Sequence, residues 1–162
     1  MAVFKDIYDE YGKRLYGFIY SLTGDEYMTE ELLQETFYQV FLHIDKFEGR
    51  CSIYTWICQI AKNAWYKECK RKKRFVPAFE DEMEALDTGH PVEEEIIKKD
   101  QCRRIREALS KLEEPYKDVF ILHVLGEIKL KEIADMYGKT ESWAKVTYFR
   151  AKAKITALME SE

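Results

Sequence analysis

Covalent or metal chemistry would start from histidines, cysteines and clustered carboxylates, and in this chain the first two are scattered. His43, His90 and His123 lie far apart, and Cys51, Cys58, Cys69 and Cys102 form no CxxC pair and have no histidine at ligand spacing. Structural zinc and disulfide frameworks need such spacings, so no metal and no disulfide are expected, and reduced thiols in a cytoplasm are the plainer reading. No phosphate loop or nucleophile motif accompanies the histidines, so no catalytic residue, no cofactor and no enzymatic activity are expected either. What remains is the chemistry of surfaces: cations, amides and aromatic rings at helical spacing.

The sharpest such surface lies near the C-terminus. Ala144, Tyr148, Ala151, Ile155 and Leu158 form one stripe of a predicted last helix. An advance of about 100° per residue then sets Ser142, Val146, Phe149 and Ala153 on the opposite side. Lys145 and Arg150 flank that side, and Lys152 and Lys154 add charge further along. An outward Val and Phe between cations are out of place on a solvated face. In a major groove they have partners, because apolar groups meet thymine methyls while Arg or Lys meets guanine and phosphate. Thr140 is the expected N-cap, and the backbone N–H groups beside it suit a phosphate. A surface helix with a chance hydrophobe is the bland alternative.

A second surface falls on a predicted third helix. Trp56, Gln59, Asn63 and Tyr66 share a flank away from the stripe Ile53, Ile57, Ile60 and Ala64, with Tyr54 and Trp65 on the other flank. Lys67 and the block Lys70-Arg71-Lys72-Lys73-Arg74 follow. Rings interleaved with amides suit an unpaired strand, since each base stacked on a ring is worth about 1–3 kcal/mol and cations track the backbone. Against this, Trp56 alone would be core, and the basic block alone a solvated helix end. On the second helix Leu32, Glu35 and Gln39 are expected to face outward, with Glu31 and Tyr38 alongside. A leucine exposed among acids suits docking of a basic partner, the alternative being an ordinary solvated face.

The elements positioning these surfaces are helices. Only seven glycines and three prolines are present, in a chain with 46% hydrophobic and 35% charged residues, a soluble globular composition. Phe4, Ile7, Tyr8, Tyr11, Leu15, Phe18 and Leu22 predict a first helix ending near Thr23-Gly24-Asp25. The second is expected over 29–44 with Leu33, Phe37, Val40, Phe41 and Ile44 inward, and the third from Ser52, a plausible N-cap. From Val76 to about Glu95, Pro77, Gly89, Pro91 and many acids predict a flexible linker. Ile97, Ile105, Leu109 and Leu112 mark the next helix. Pro115 opens another, with Tyr116, Val119, Phe120, His123 and Val124 inward, and Gly126 stops it. Residues 129–137, a turn at Gly138 and the last helix then read as a helix-turn-helix. The expected fold is all-α, two small helical domains (1–75 and 96–162) joined by an acidic linker (76–95). No apolar run approaches the roughly 20 residues of a membrane span, and nothing at the N-terminus suggests export. The net charge of −4 argues against a free-standing DNA binder, but it hides the separation of the basic block from Glu80-Asp81-Glu82-Met83-Glu84 and Glu93-Glu94-Glu95.

These segments carry a specific resemblance. Glu30-Glu31-Leu32-Leu33-Gln34-Glu35-Thr36-Phe37 resembles the polymerase-binding segment of sigma region two. Ser52-Ile53-Tyr54-Thr55-Trp56-Ile57-Cys58-Gln59-Ile60-Ala61-Lys62-Asn63 is similar to the promoter-melting segment that follows it. Leu112-Glu113-Glu114-Pro115-Tyr116-Lys117-Asp118-Val119-Phe120, and Glu132-Ile133-Ala134 followed by Thr140 to Lys152, resemble region four. Nearly the whole chain matches in order, so it is identified as a member of the extracytoplasmic-function group of sigma-70 factors. The resemblance implies an alternative sigma factor that binds core RNA polymerase and initiates transcription from promoter DNA of an envelope- or stress-response regulon. Glu31, Leu32, Leu33, Gln34, Glu35 and Phe37 would serve polymerase binding. Phe47, Glu48, Gly49, Arg50 and Cys51, with Asn63, would hold a base flipped from the −10 element, aided by Tyr54, Trp56, Lys70 and Arg71. Thr140, Ser142, Lys145, Val146, Phe149, Arg150 and Lys152 would serve the −35 element. An anti-sigma factor covering both domains is implied too, which could hold the cytoplasmic protein at the membrane without inserting it. Lys67, Lys129, Trp143 and Thr147 depart from the family's usual residue types. The rival reading is a conventional regulator whose residues 1–75 sense or dimerise, binding a palindrome without polymerase.

Overall fold

The computed structural model describes residues 2–75 and 93–161. The linker reading, with its acids at 80–84, falls outside the described residues as far as position 92. Among the described residues every regular element is helical.

Helix α1 (Ala2–Thr23) buries Ile7, Leu15, Phe18, Ile19 and Leu22. It stops at Gly24, whose φ of +68° favours glycine and whose N–H donates to the Tyr20 carbonyl at 2.8 Å. Asp25 then caps α2 (Glu26–His43), its Oδ2 accepting the Met28 N–H at 3.1 Å. A short 3-10 turn (Ile44–Lys46) and a loop lead to α3 (Ile53–Phe75). Ser52 caps that helix as expected, its Oγ accepting the Thr55 N–H at 3.2 Å. The three helices pack on one another, and their buried side chains join one hydrophobic cluster with those of the C-terminal helices.

Helix α4 (Glu93–Ser110) opens the C-terminal unit and buries Ala108 and Leu109. Helix α5 (Tyr116–Phe120) runs into a π-helical turn (Ile121–Leu125) that ends at Gly126. A Cβ at Gly126 would stand 2.6 Å from the Leu122 carbonyl oxygen, so the wider turn closes only on glycine. The extra residue per turn also shifts the helical face, which is why Val124, expected inward, is exposed. Helix α6 (Leu130–Tyr137) ends at Gly138, φ +66°, and the Lys139 N–H returns to the Ala134 carbonyl at 2.8 Å, a Schellman closure. Thr140 is the predicted N-cap of α7 (Glu141–Glu160), accepting the Trp143 N–H at 3.1 Å. Helix α7 packs on α4, α5 and α6 through Ala144, Thr147, Ala151 and Ile155.

No disulfide joins the described cysteines. Burial pushes the Cys58 thiol from the usual 9.0 up to about 12, whereas Cys102 is exposed. The folded chain therefore holds Cys58 protonated, and the stability this contributes below pH 9 is lost as pH rises toward 12. A thiolate-directed reagent at pH 8 should modify Cys102 at once and Cys58 only with unfolding, which mass-mapped alkylation with and without denaturant will show.

Candidate nucleic-acid interface

Helix α7 presents its face as expected. Ser142, Lys145, Val146, Phe149, Arg150 and Lys152 are all exposed, and Phe149 keeps 66% of its surface in solvent. Lys145 is tethered only by an exposed Glu141 3.6 Å away, a pairing of little worth that a phosphate can replace. The two unusual residues of this helix have packing roles. Trp143 lies against the Tyr137 ring, centroids 5.8 Å apart, and Thr147 is buried.

Helix α3 divides differently from the expected stripe. Tyr54, Ile57, Cys58 and Ala61 are buried, while Ile53, Ile60 and Ala64 are half-buried. Tyr54 is the correction that matters. At 4% exposure its ring packs 5.5 Å from that of Tyr11 under the Arg14 guanidinium, 3.9 Å from its centroid, and cannot stack on a base. It sits at i, i+3, i+4 with Ile57 and Cys58, a spacing that turns it to the core. Asn63 is exposed, and half-buried Trp56 leans on Phe47 of the preceding loop at 5.3 Å. In that loop Glu48, Gly49 and Arg50 are exposed and Cys51 half-buried, with Arg50 and Glu48 paired at 2.9 Å. Lys70 is exposed, and Arg71 is held by Glu68 one turn back.

Helix α2 corrects a second reading. Leu32, expected outward, is 5% exposed, whereas Phe41, expected inward, is 50% exposed. The buried stripe is Thr29, Leu32, Thr36 and Val40, with Phe37 beside it. Its threonines are polar in sequence but satisfied in place: Thr36 Oγ1 donates to the Leu32 carbonyl at 2.7 Å, and Thr29 Oγ1 meets Thr23 at 2.7 Å. Glu31, Gln34 and Glu35 remain exposed. Leu33, Gln34, Phe37 and Tyr38 line an open cleft of about 500 Å³ with Tyr8 and Tyr16 of α1.

Two family models match in order: Sigma-70 region 2 over residues 7–75 and Sigma-70, region 4 over residues 102–155. The chain belongs to the sigma-70 family, in its extracytoplasmic-function group. It is 29% identical to the ECF RNA polymerase sigma factor SigM of Bacillus subtilis, across 94% of this chain and 93% of that one. To SigX of the same organism it is 28% identical, across 97% and 84%. Among solved structures it resembles CnrH in complex with the cytosolic domain of CnrY, with a TM-score of 0.61, 21% identity and coverage of 98% and 88%. The sigma factor RpoE in complex with the anti-sigma factor NepR from Bartonella quintana gives 0.59, 20%, 96% and 98%. No helix of the described residues is long and apolar enough to cross a membrane.

In this sigma factor the C-terminal unit meets both α1 and α3, on α3 through polar residues that hydrophobic periodicity does not reveal. Lys62 Nζ pairs with Asp118 Oδ1 of α5 at 2.9 Å, the two side chains 1% and 8% exposed. Burial pulls the Lys62 ammonium below the usual lysine range, and the Asp118 carboxylate pulls it back. Tyr66 Oη donates to Asp118 Oδ1 at 2.6 Å, and Tyr137 Oη lies 3.1 Å from Asp118 Oδ2 and 3.3 Å from Gln59 Oε1. At the start of α3, Glu132 of α6 accepts the Ser52 N–H at 3.0 Å and the Thr55 hydroxyl at 2.9 Å. The signal that could have exposed these contacts is the stripe Thr55, Cys58, Lys62 and Tyr66, at i, i+3, i+7 and i+11, a helical face too polar to score as core.

Proposed function

We propose that this alternative sigma factor is a non-enzymatic adaptor with two nucleic-acid surfaces. The cleft between α1 and α2, lined by Leu33, Gln34 and Phe37, docks on core RNA polymerase together with the exposed Glu31 and Glu35 of α2. Asn63, Trp56 and the loop Phe47 to Cys51 capture the opened −10 strand, with Lys70 and Arg71 along its phosphates. Helix α7 reads the −35 duplex. The observation that carries this is the Phe149–Val146 ridge between Lys145 and Arg150, exposed on the second helix of a helix-turn-helix in a chain that also holds region two. Extruding a base costs a few kcal/mol, which stacking and phosphate contacts offset. Two weak modules on one tether gain from effective concentration, so neither must bind tightly alone.

The protein acts in the cytoplasm, on an envelope- or stress-response regulon, and is restrained by an anti-sigma factor, as RpoE was captured with NepR. Run-off transcription with core polymerase on a promoter library tests the function and reads the specificity together. Asn63→Ala should keep polymerase binding and lose open-complex formation, scored by permanganate reactivity of unpaired thymines. Normal melting by that variant would remove Asn63 from the strand site.

A further inference from the structure

We propose that Lys67 is a specificity-determining residue that selects an unpaired guanine beside the base held by Asn63, an inference that rests on reading α3 as the strand-capture helix. From Ile53 to Lys70 that helix exposes only Asn63, Lys67 and Lys70, and every other residue is buried or half-buried. The three are spaced i, i+4 and i+7, which sets them on one side of the helix. A strand running along α3 therefore has a single open line to follow, and that line carries an amide and then two cations.

The groups on this line are donors. Asn63 Oδ1 accepts the buried Lys62 ammonium at 3.4 Å, which leaves the NH2 group of Asn63 for a base edge. Lys67 stands one turn further on, about 6 Å along the axis, and makes no ion pair among the described residues. Arg71, by contrast, already donates from Nε to Glu68 at 3.1 Å and 3.2 Å. A strand that turns one base toward Asn63 has its base edges toward the helix, so the next group on the line meets a base, and Lys70 is left for phosphate. A lysine ammonium offers three donors and no acceptor. Guanine suits it best, with O6 and N7 side by side on the edge that an unpaired strand leaves open. Cytosine presents its N4 amine there, adenine sets its N6 amine beside N7, and thymine offers O4 alone. A carboxylate in place of Lys67 would reverse the choice, because it accepts from the cytosine amine.

Selection by holoenzyme, core polymerase with the full chain, from fork-junction templates reads the choice without requiring melting. The templates are duplex at −35 and carry a randomised single strand across −10. The wild type should enrich guanine at one position, next to the position whose preference Asn63→Ala loses. Lys67→Ala should lose the guanine preference and keep the others, a change of about five- to ten-fold, toward the lower end for a base contact. Lys67→Glu should turn the preference to cytosine. In the selected strand, 7-deazaguanine at that position removes the N7 acceptor, and should weaken binding by the wild type but not by Lys67→Ala. Lys67 is exposed, so these variants should melt as the wild type does, which circular dichroism checks. A loss spread evenly over all sequences, with salt dependence lowered by about one phosphate, would make Lys67 a backbone contact and overturn the selection of guanine. Unchanged profiles, or a Lys67-dependent preference for another base, would overturn it as well. An Asn63→Ala profile with no altered position would instead remove α3 from strand capture, and with it the ground on which the role of Lys67 stands.

Discussion

With Phe149 and Arg150 both replaced by alanine, the protein should stay folded and lose its −35 recognition. Both side chains are exposed, Phe149 by 66%, so the change in stability should stay within about 0.5 kcal/mol, as for other surface substitutions away from caps and cores. Arg150, if it meets a base edge, carries about 1–3 kcal/mol of binding. Phe149, if it is covered by thymine methyls, contributes on the scale of a buried apolar side chain, about 1.5–3 kcal/mol. Neighbouring contacts do not add fully, so the double variant should lose on the order of 3–5 kcal/mol. Selection from a randomised duplex library distinguishes base reading from simple charge. The double variant should flatten the preference at two or three adjacent positions. Lys152→Ala should instead weaken all sequences alike and lower the salt dependence by about one phosphate. An unchanged −35 preference in the double variant would leave α7 without its assigned role.

This surface was legible because the helix beneath it is simple. Ala144 and Ala151 let α7 pack closely, a stripe of period 3.6 marks its inner side, and an outward Phe and Val then have no packing reason to be there. The glycine turn at Gly138 and the cap at Thr140 were legible for the same reason, as local chemistry with one outcome. Helix α2 was misread because half its buried stripe is threonine, which counts as polar in a hydrophobic pattern although its hydroxyl is satisfied within the helix. Tyr54 was misread because a tyrosine flanking an isoleucine stripe reads equally as core or as a stacking platform, and only the neighbouring Tyr11 and Arg14 decide it. The pair Lys62 and Asp118 was out of reach for a deeper reason. Each residue alone reads as a solvated charge, and 55 intervening residues, counted from their numbers, separate the two.

Leu32 gives the misreading a measurable consequence. If it were the outward docking residue, Leu32→Ala would weaken polymerase binding and leave stability unchanged. At 5% exposure within the stripe of Thr29, Thr36 and Val40, its truncation should open a cavity and cost about 2–5 kcal/mol. Against a total of about 5–15 kcal/mol for a typical domain, that is enough to lower the denaturation midpoint visibly. Polymerase binding should then fail only at temperatures where the variant unfolds, and return on cooling. Glu31→Ala with Glu35→Ala should behave in the opposite way. Both are exposed, so stability should hold while polymerase affinity falls and its salt dependence shrinks, because acids at a rim act mainly through steering. Urea melts beside polymerase pull-downs at two temperatures compare the three substitutions directly. Leu32→Ala losing polymerase at every temperature with an unshifted melt would return Leu32 to the surface.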